Sequence, residues 1–159
     1  MFNQHVLDID PAAETGRLAG ELQQVVQKTL RRRGGVVGVS GGVDSAVALA
    51  LTVRAFGPER VAAIALPEKD SEPESVQLAQ CVAQHYGISL VVEDITAALT
   101  GLGCYRRRDE AIQRVFPEYD AEAGYKAKLV LPQNLLEEDS INLFSVTIVA
   151  PDGAEETRP

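Results

Sequence analysis

The sequence has 159 residues, 45% of them hydrophobic and 24% charged, with a net charge of −8; that is enough for one domain with a real core, too little for two ordinary ones, and globular rather than disordered. The acidic balance argues against a general nucleic-acid binder, and the basic runs Arg31–Arg33 and Arg106–Arg108 read as solvated helix ends. No apolar stretch approaches the ~20 residues of a membrane span, the first ten residues lack the layout of a secretory signal, and Cys81 and Cys104 form no metal or CxxC pattern, so a soluble cytoplasmic protein is expected.

Asp10 before Pro11 is a helix start, a capping carboxylate followed by a residue that needs no amide donor. Leu18, Leu22, Val25, Val26 and Leu30 then recur at helical spacing until Gly34-Gly35 ends the helix. Val36 to Val39 is too short for a helix and suits a buried parallel strand. Ala46 to Ala55 reads as a helix that is apolar almost all round and hence deeply packed.

The alternation repeats. Val61 to Leu66 reads as a second buried strand. Ser71 with Glu74 has capping-box spacing for a helix running through Val76, Val82 and Tyr86 to Gly87. Ile88 to Val92 is a third strand, followed by Asp94-Ile95-Thr96 and a short helix to Leu99. Strand and helix in alternation predict an α/β fold, a doubly wound parallel sheet with helices on both faces.

From Gly101 the pattern weakens. Asp109 to Phe116 fits one amphipathic helix, Pro117 to Lys128 is ambiguous, Leu143 to Val149 has strand composition, and Pro151-Asp152-Gly153 reads as a turn. We expect a core over residues 1–100 and a divergent or inserted segment over 101–159. The chain stops after that turn with no element expected beyond it, as the N-terminal part of a longer polypeptide would.

The chemistry concentrates in Gly38-Val39-Ser40-Gly41-Gly42-Val43-Asp44-Ser45, between a strand and a helix. Amides at a helix start face the positive end of its dipole. Gly41 and Gly42 tolerate positive φ and leave the approach of an oxyanion clear, and Ser40 and Ser45 bring hydroxyls. The result is an anion nest sized for phosphate or pyrophosphate. It is neither a Walker A loop nor a GxGxxG fingerprint, because it has no lysine and carries an acid, Asp44, within the turn. A carboxylate there repels a phosphate unless a cation lies between them, which points to Mg²⁺ on Asp44. The plainer reading is a glycine turn in which Asp44 and Ser45 only cap the helix.

Ser-Gly-Gly-x-Asp-Ser after a short strand resembles the signature of the PP-loop ATP pyrophosphatases. The wording around it, with Ala65-Leu66-Pro67, Ser71, Ser75, Tyr86-Gly87-Ile88 and Asp94-Ile95-Thr96, is most similar to the ammonia-dependent NAD synthetase branch over approximately residues 18–100. The resemblance implies the adenine nucleotide alpha hydrolase-like fold. It implies ATP as substrate, its pyrophosphate held by Gly38, Val39, Ser40, Gly41, Gly42, Val43, Asp44 and Ser45, with Asp44 on Mg²⁺ and Asp44 and Ser45 as catalytic groups. It places Ile64, Ala65 and Leu66 beside the adenine through their backbone. It further implies nicotinate adenine dinucleotide and ammonia as co-substrates, an acyl-adenylate on the way to NAD, and a homodimer. No glutaminase domain precedes the loop, so ammonia is expected free or from another chain. The branch's later motifs have no counterpart in residues 101–159.

Two other readings stand beside this one. A tRNA-thiolating relative would need a reactive thiol, and Cys104 lies near arginines, whereas Cys81 falls on the apolar face of a helix and reads as core. A truncated nucleotide-binding domain without turnover is the other. Glu68 and Lys69, just past the second strand, read as solvated loop charges, and neither His5 nor His85 suggests a catalytic base.

Overall fold

The computed structural model describes residues 8–130 and 144–159. The chain divides into two compact units, Met1–Thr96 and Ala97–Pro159.

The first unit opens with α1, Pro11–Gln24. Asp10 caps it as expected, its Oδ1 accepting from the amides of Ala12 at 3.0 Å and Ala13 at 3.2 Å. The helix widens into a π turn at Val25–Thr29. Gly34 then lets the chain pass against Arg60, for a Cβ at Gly34 would lie 1.9 Å from the Arg60 carbonyl oxygen. Strand β1 (Gly35–Gly38), helix α2 (Val43–Phe56), strand β2 (Val61–Ala65), helix α3 (Pro73–His85) and strand β3 (Leu90–Val92) follow. The strands form a parallel sheet in the order β1-β2-β3, with Val37 opposite Ala63 and Ala63 opposite Leu90. This is the parallel α/β arrangement that the alternation predicts.

One face of that sheet supplies the core. Val37, Val39, Val61, Ala63, Ala65 and Leu90 pack with Leu49 and Phe56 of α2 and Ala79 and Ala83 of α3, with Leu49, Ala63, Ala79 and Ala83 fully buried. Leu22 and Val26 of the first helix lie on the same cluster. The small alanines of β2 and α3 let backbones approach closely. Two expectations need correction. The strands are not buried on both faces, since Val36 is 74% and Val91 53% exposed. Nor is α2 packed all round, because Val43 and Val47 are exposed. The physical reason is the same for both: these side chains lie outside the buried cluster, which gathers the side chains on the opposite face of each element.

Helix α4, Thr96–Gly101, starts at the last residue of the first unit. In the second unit α5 spans Cys104–Gln113, earlier than expected, because Gly103 in the left-handed region (φ 71°) starts it there. Strands β4 (Lys126–Val130), β5 (Ser145–Val149) and β6 (Glu155–Arg158) make an antiparallel sheet in that order. Phe116, Tyr119 and Ile148 are its core. Arg158 lies 4.4 Å from the Phe116 ring centroid and donates to the Val115 carbonyl at 2.6 Å. The turn at Pro151-Asp152-Gly153 forms as expected, Gly153 adopting φ 86°. Beyond it lies β6, so the expectation of no further element is corrected: Glu155-Glu156-Thr157-Arg158 pairs with β5 although its composition is polar. Leu143, expected to start the preceding strand, lies outside the described residues.

Candidate nucleotide site

The site begins where β1 ends. Val39 is 3% exposed and its amide donates to the Ile64 carbonyl at 2.8 Å, carrying the β1–β2 pairing one residue past the strand. The chain then turns through Ser40, Gly41 and Gly42 into α2. Gly41 has φ 83°, and a Cβ on it would lie 2.7 Å from the Ser75 carbonyl oxygen and 2.9 Å from the Leu78 Cβ. Only glycine suits both the dihedral and the contact. Gly42 is the N-cap of α2 and offers no side-chain cap; its carbonyl accepts the first helical bond from Ala46 at 3.1 Å. The amides of Val43, Asp44 and Ser45 therefore occupy the first turn, where no i−4 carbonyl exists for them. That is the donor arrangement on which phosphates dock.

Ser45 holds this turn together. Its hydroxyl donates to the Gly42 carbonyl at 2.8 Å and its oxygen accepts from the Ser40 amide at 3.2 Å, with Ser40 Oγ 3.3 Å away. Ser40 Oγ in turn accepts from the Gly42 amide at 3.5 Å. The two serines brace the loop across five residues. Asp44 stands exposed in the first turn of α2.

Beside the loop a cleft opens at the carboxyl ends of β1 and β2, where ligands bind in open parallel sheets. Six of the expected residues line it together: Gly38, Val39 and Ser40 from the first strand and its exit, and Ile64, Ala65 and Leu66 from the second. Gly41, Gly42, Val43, Asp44 and Ser45 continue from its edge rather than line it. Sequence reasoning did not assign the opposite wall, made by Pro67, Ser71, Glu72, Ser75 and Val76. The Leu66-Pro67 exit and the two serines at i and i+4 were its only visible signal.

That wall corrects one expectation. Ser71 does not form a capping box with Glu74. Glu72 is the N-cap of α3 with Pro73 at the first helical position, and Ser71 Oγ instead accepts from the Glu68 amide at 3.0 Å. The Ser71 amide donates back to the Glu68 carbonyl at 2.9 Å. Proline at position 73 sets the helix start one residue late for the predicted box. Lys69 is exposed and Glu68 half-buried.

Farther along, Asp94 Oδ1 accepts from the Thr96 amide at 2.8 Å, and the hydrogen bonds that Thr96 gives hold its carboxyl below the usual range. Cys81 is exposed rather than core, since α3 buries only Ala79 and Ala83. Cys104 is half-buried at the start of α5. The His85 ring meets Tyr86 edge-on at 4.9 Å, and His5 lies outside the described residues. Among the described residues no helix is long and apolar enough to cross a membrane.

A parallel α/β sheet with a glycine-serine loop at the end of its first strand, beside a cleft at the ends of two strands, places this chain among the α/β proteins with an open parallel sheet, whose ligands bind at such strand ends. Comparison with known proteins makes this specific. The NAD synthase family profile matches residues 15–114, and the chain belongs to that family. It is 42% identical over 155 residues to the NH(3)-dependent NAD(+) synthetase of Rhizobium meliloti (strain 1021), covering 98% of this chain and 45% of that protein. The protein of the same name from Rhizobium rhizogenes is 44% identical over 154 residues, 97% of this chain and 46% of its own length. Among solved structures, the NMN synthetase of Francisella tularensis superposes with a TM-score of 0.56 at 26% identity, over 64% of this chain and 41% of that one. The chain spans about half the length of the curated relatives it matches. The rhizobial matches run well past residue 114, so most of the second unit is shared with these relatives although the family profile stops short of it.

Proposed function

We propose that this chain carries the ATP-binding part of an ammonia-dependent NAD synthetase, a carbon–nitrogen ligase that amidates nicotinate adenine dinucleotide. The observation that carries the reading is the braced Ser40–Ser45 loop lying against a cleft at the ends of β1 and β2, in a chain whose relatives bear that name.

On this reading the nucleoside of ATP occupies the cleft, its base against the backbone of Ile64, Ala65 and Leu66. The pyrophosphate lies on Gly38 to Ser45. A carboxylate oxygen of nicotinate adenine dinucleotide attacks the α-phosphorus, the bond to the bridging oxygen breaks, and pyrophosphate leaves with an acyl-adenylate formed. Ammonia then adds to the acyl carbon and AMP departs, giving NAD. The first-turn amides of α2 stabilise the charge that grows on the leaving pyrophosphate, the step where preorganised donors matter most. Ser45 contributes by keeping those amides in register. The oxygen donors available fit Mg²⁺, which takes a carboxylate together with phosphate oxygens. Asp44, exposed in the first turn, is the residue to hold it, and the ion would neutralise phosphate charge. Function as a homodimer in the cytoplasm accompanies this reading.

The test is direct. Incubated with ATP, Mg²⁺, ammonia and nicotinate adenine dinucleotide, the complete protein should form NAD and AMP in equal amounts. Binding of ATP with no NAD formed would refute the synthetase reading while leaving the nucleotide site intact. Full activity after alkylation of Cys81 and Cys104 would separate it from thiol-dependent chemistry on the same loop.

A further inference from the structure

The hydroxyl protons of the loop are already committed. Ser45 donates to the Gly42 carbonyl at 2.8 Å, so at the 3.3 Å contact between the two hydroxyls Ser40 is the donor and Ser45 Oγ the acceptor. Ser40 Oγ and Ser45 Oγ also accept from the Gly42 and Ser40 amides. A serine has one proton to give, so a phosphate seated on this loop meets backbone amides and no free O–H from either residue. Across the cleft the situation is reversed. Ser75 is half-buried in the first turn of α3 and lines the cleft. Its hydroxyl has no hydrogen-bond partner among the described residues and is not sealed from solvent. Its backbone lies directly against the loop: a Cβ on Gly41 would stand 3.3 Å from the Ser75 Cα and 2.7 Å from its carbonyl oxygen. The hydroxyl, two bonds beyond that Cα, therefore stands beside the loop.

We infer that Ser75 is a phosphate-binding residue: its hydroxyl donates from α3 to an oxygen of the pyrophosphate held on the Ser40–Ser45 loop, so that the anion is gripped from both walls of the cleft. The inference rests on the proposed nucleotide site and concerns its phosphate end alone. A hydrogen bond to an anionic oxygen is shorter and stronger than one between neutral groups, so one free hydroxyl at this place matters. Glu72, three residues earlier on the same wall, is the N-cap of α3 and repels an anion. The Ser75 end, next to Gly41, is what that wall offers a phosphate. The contact at Gly41 sets the spacing between the hydroxyl and the loop amides in the folded chain, so these donors are arranged before the ligand arrives.

The experiment measures binding of inorganic pyrophosphate, ATP and adenosine to the complete protein in the presence of Mg²⁺, for the wild type and Ser75→Ala, with melting temperatures alongside. Alanine suits a helix, so the melting temperature should hardly move. Ser75→Ala should weaken pyrophosphate and ATP about five- to twentyfold and leave adenosine within about twofold of wild type. Should the alanine variant fail to fold, Ser75→Gly removes the same hydroxyl and should show the same split between pyrophosphate and adenosine. Undiminished pyrophosphate affinity overturns the inference. An equal loss for adenosine overturns it too, because that would mark a changed cleft shape and not a missing donor. Wild-type protein that takes adenosine but no pyrophosphate removes the proposed phosphate site itself. That outcome is distinct from the failure of Ser75 alone, in which wild type and variant bind pyrophosphate equally.

Discussion

Gly41 and Ser75 meet so closely that the loop and helix α3 have no room for a methyl group between them: a Cβ on Gly41 would lie 2.7 Å from the Ser75 carbonyl oxygen. The loop and the far wall of the cleft are therefore packed directly against each other. Gly41→Ala must both push α3 away and adopt a left-handed dihedral, which together cost about 2–4 kcal/mol. Urea unfolding should register that loss, and ATP binding should fall with it. A variant within about 0.5 kcal/mol of wild type, which is ordinary for surface changes, would show that the contact is soft.

Ser45→Ala removes the hydroxyl that bridges Gly42 and Ser40. The helix should survive, since Gly42 is its cap, but the first-turn amides lose their register. We expect kcat/KM for ATP to fall by about tenfold or more with only a small change in stability. Ser45→Thr should retain most of the activity. Equal kcat/KM for alanine and wild type would place the bracing of the loop elsewhere.

Asp44→Asn tests the cation. The residue is exposed and removed from the core, so stability should barely change. Synthetase activity should drop about 100-fold and the Mg²⁺ concentration for half-activity should rise. Unaltered Mg²⁺ dependence would assign Asp44 to helix capping alone.

Asp94 gives a prediction in pH. Hydrogen bonds from Thr96 lower its folded value below the ordinary 3.8, so its contribution to stability is complete above about pH 4 and is lost as pH falls through the depressed folded value. Carboxyl-carbon NMR should show Asp94 titrating below 3.8. Titration at or above that value would mean that the Thr96 hydrogen bonds are not maintained in solution.

Much of the first unit could be read from residue order alone, because its signals are local. Asp10-Pro11 marked a helix start, four- to six-residue apolar runs marked strands, and the Ser-Gly-Gly-x-Asp-Ser turn marked the nest. What escaped depended on which neighbour covers which face. Val36 and Val61 look alike as letters, yet one is 74% exposed and the other 8%. Cys81 sits among apolar residues in sequence and on the outside in space. Ser71 fitted a capping box by spacing, but Pro73 moved the helix start and freed the hydroxyl for the Glu68 amide. The second unit was least legible. Glu155 to Arg158 is polar throughout, and becomes a strand through pairing with β5 and through the Arg158 stack on Phe116, neither of which periodicity can foresee.

Gly34 has a consequence that reaches the phosphate nest. Strand β1 is only four residues long, and a short strand with a half-covered sheet is the kind that can slip along its neighbour. A slip of one residue would turn Val37 outward and carry Ser40 about 3.3 Å along the strand direction. Gly34 against Arg60 stops motion at one end, and Gly41 against Ser75 stops it at the other. The strand is a ruler with a stop at each end, so a mutation at Gly34, six residues from Ser40 and outside the cleft, should blur ATP binding by misplacing a loop it never touches.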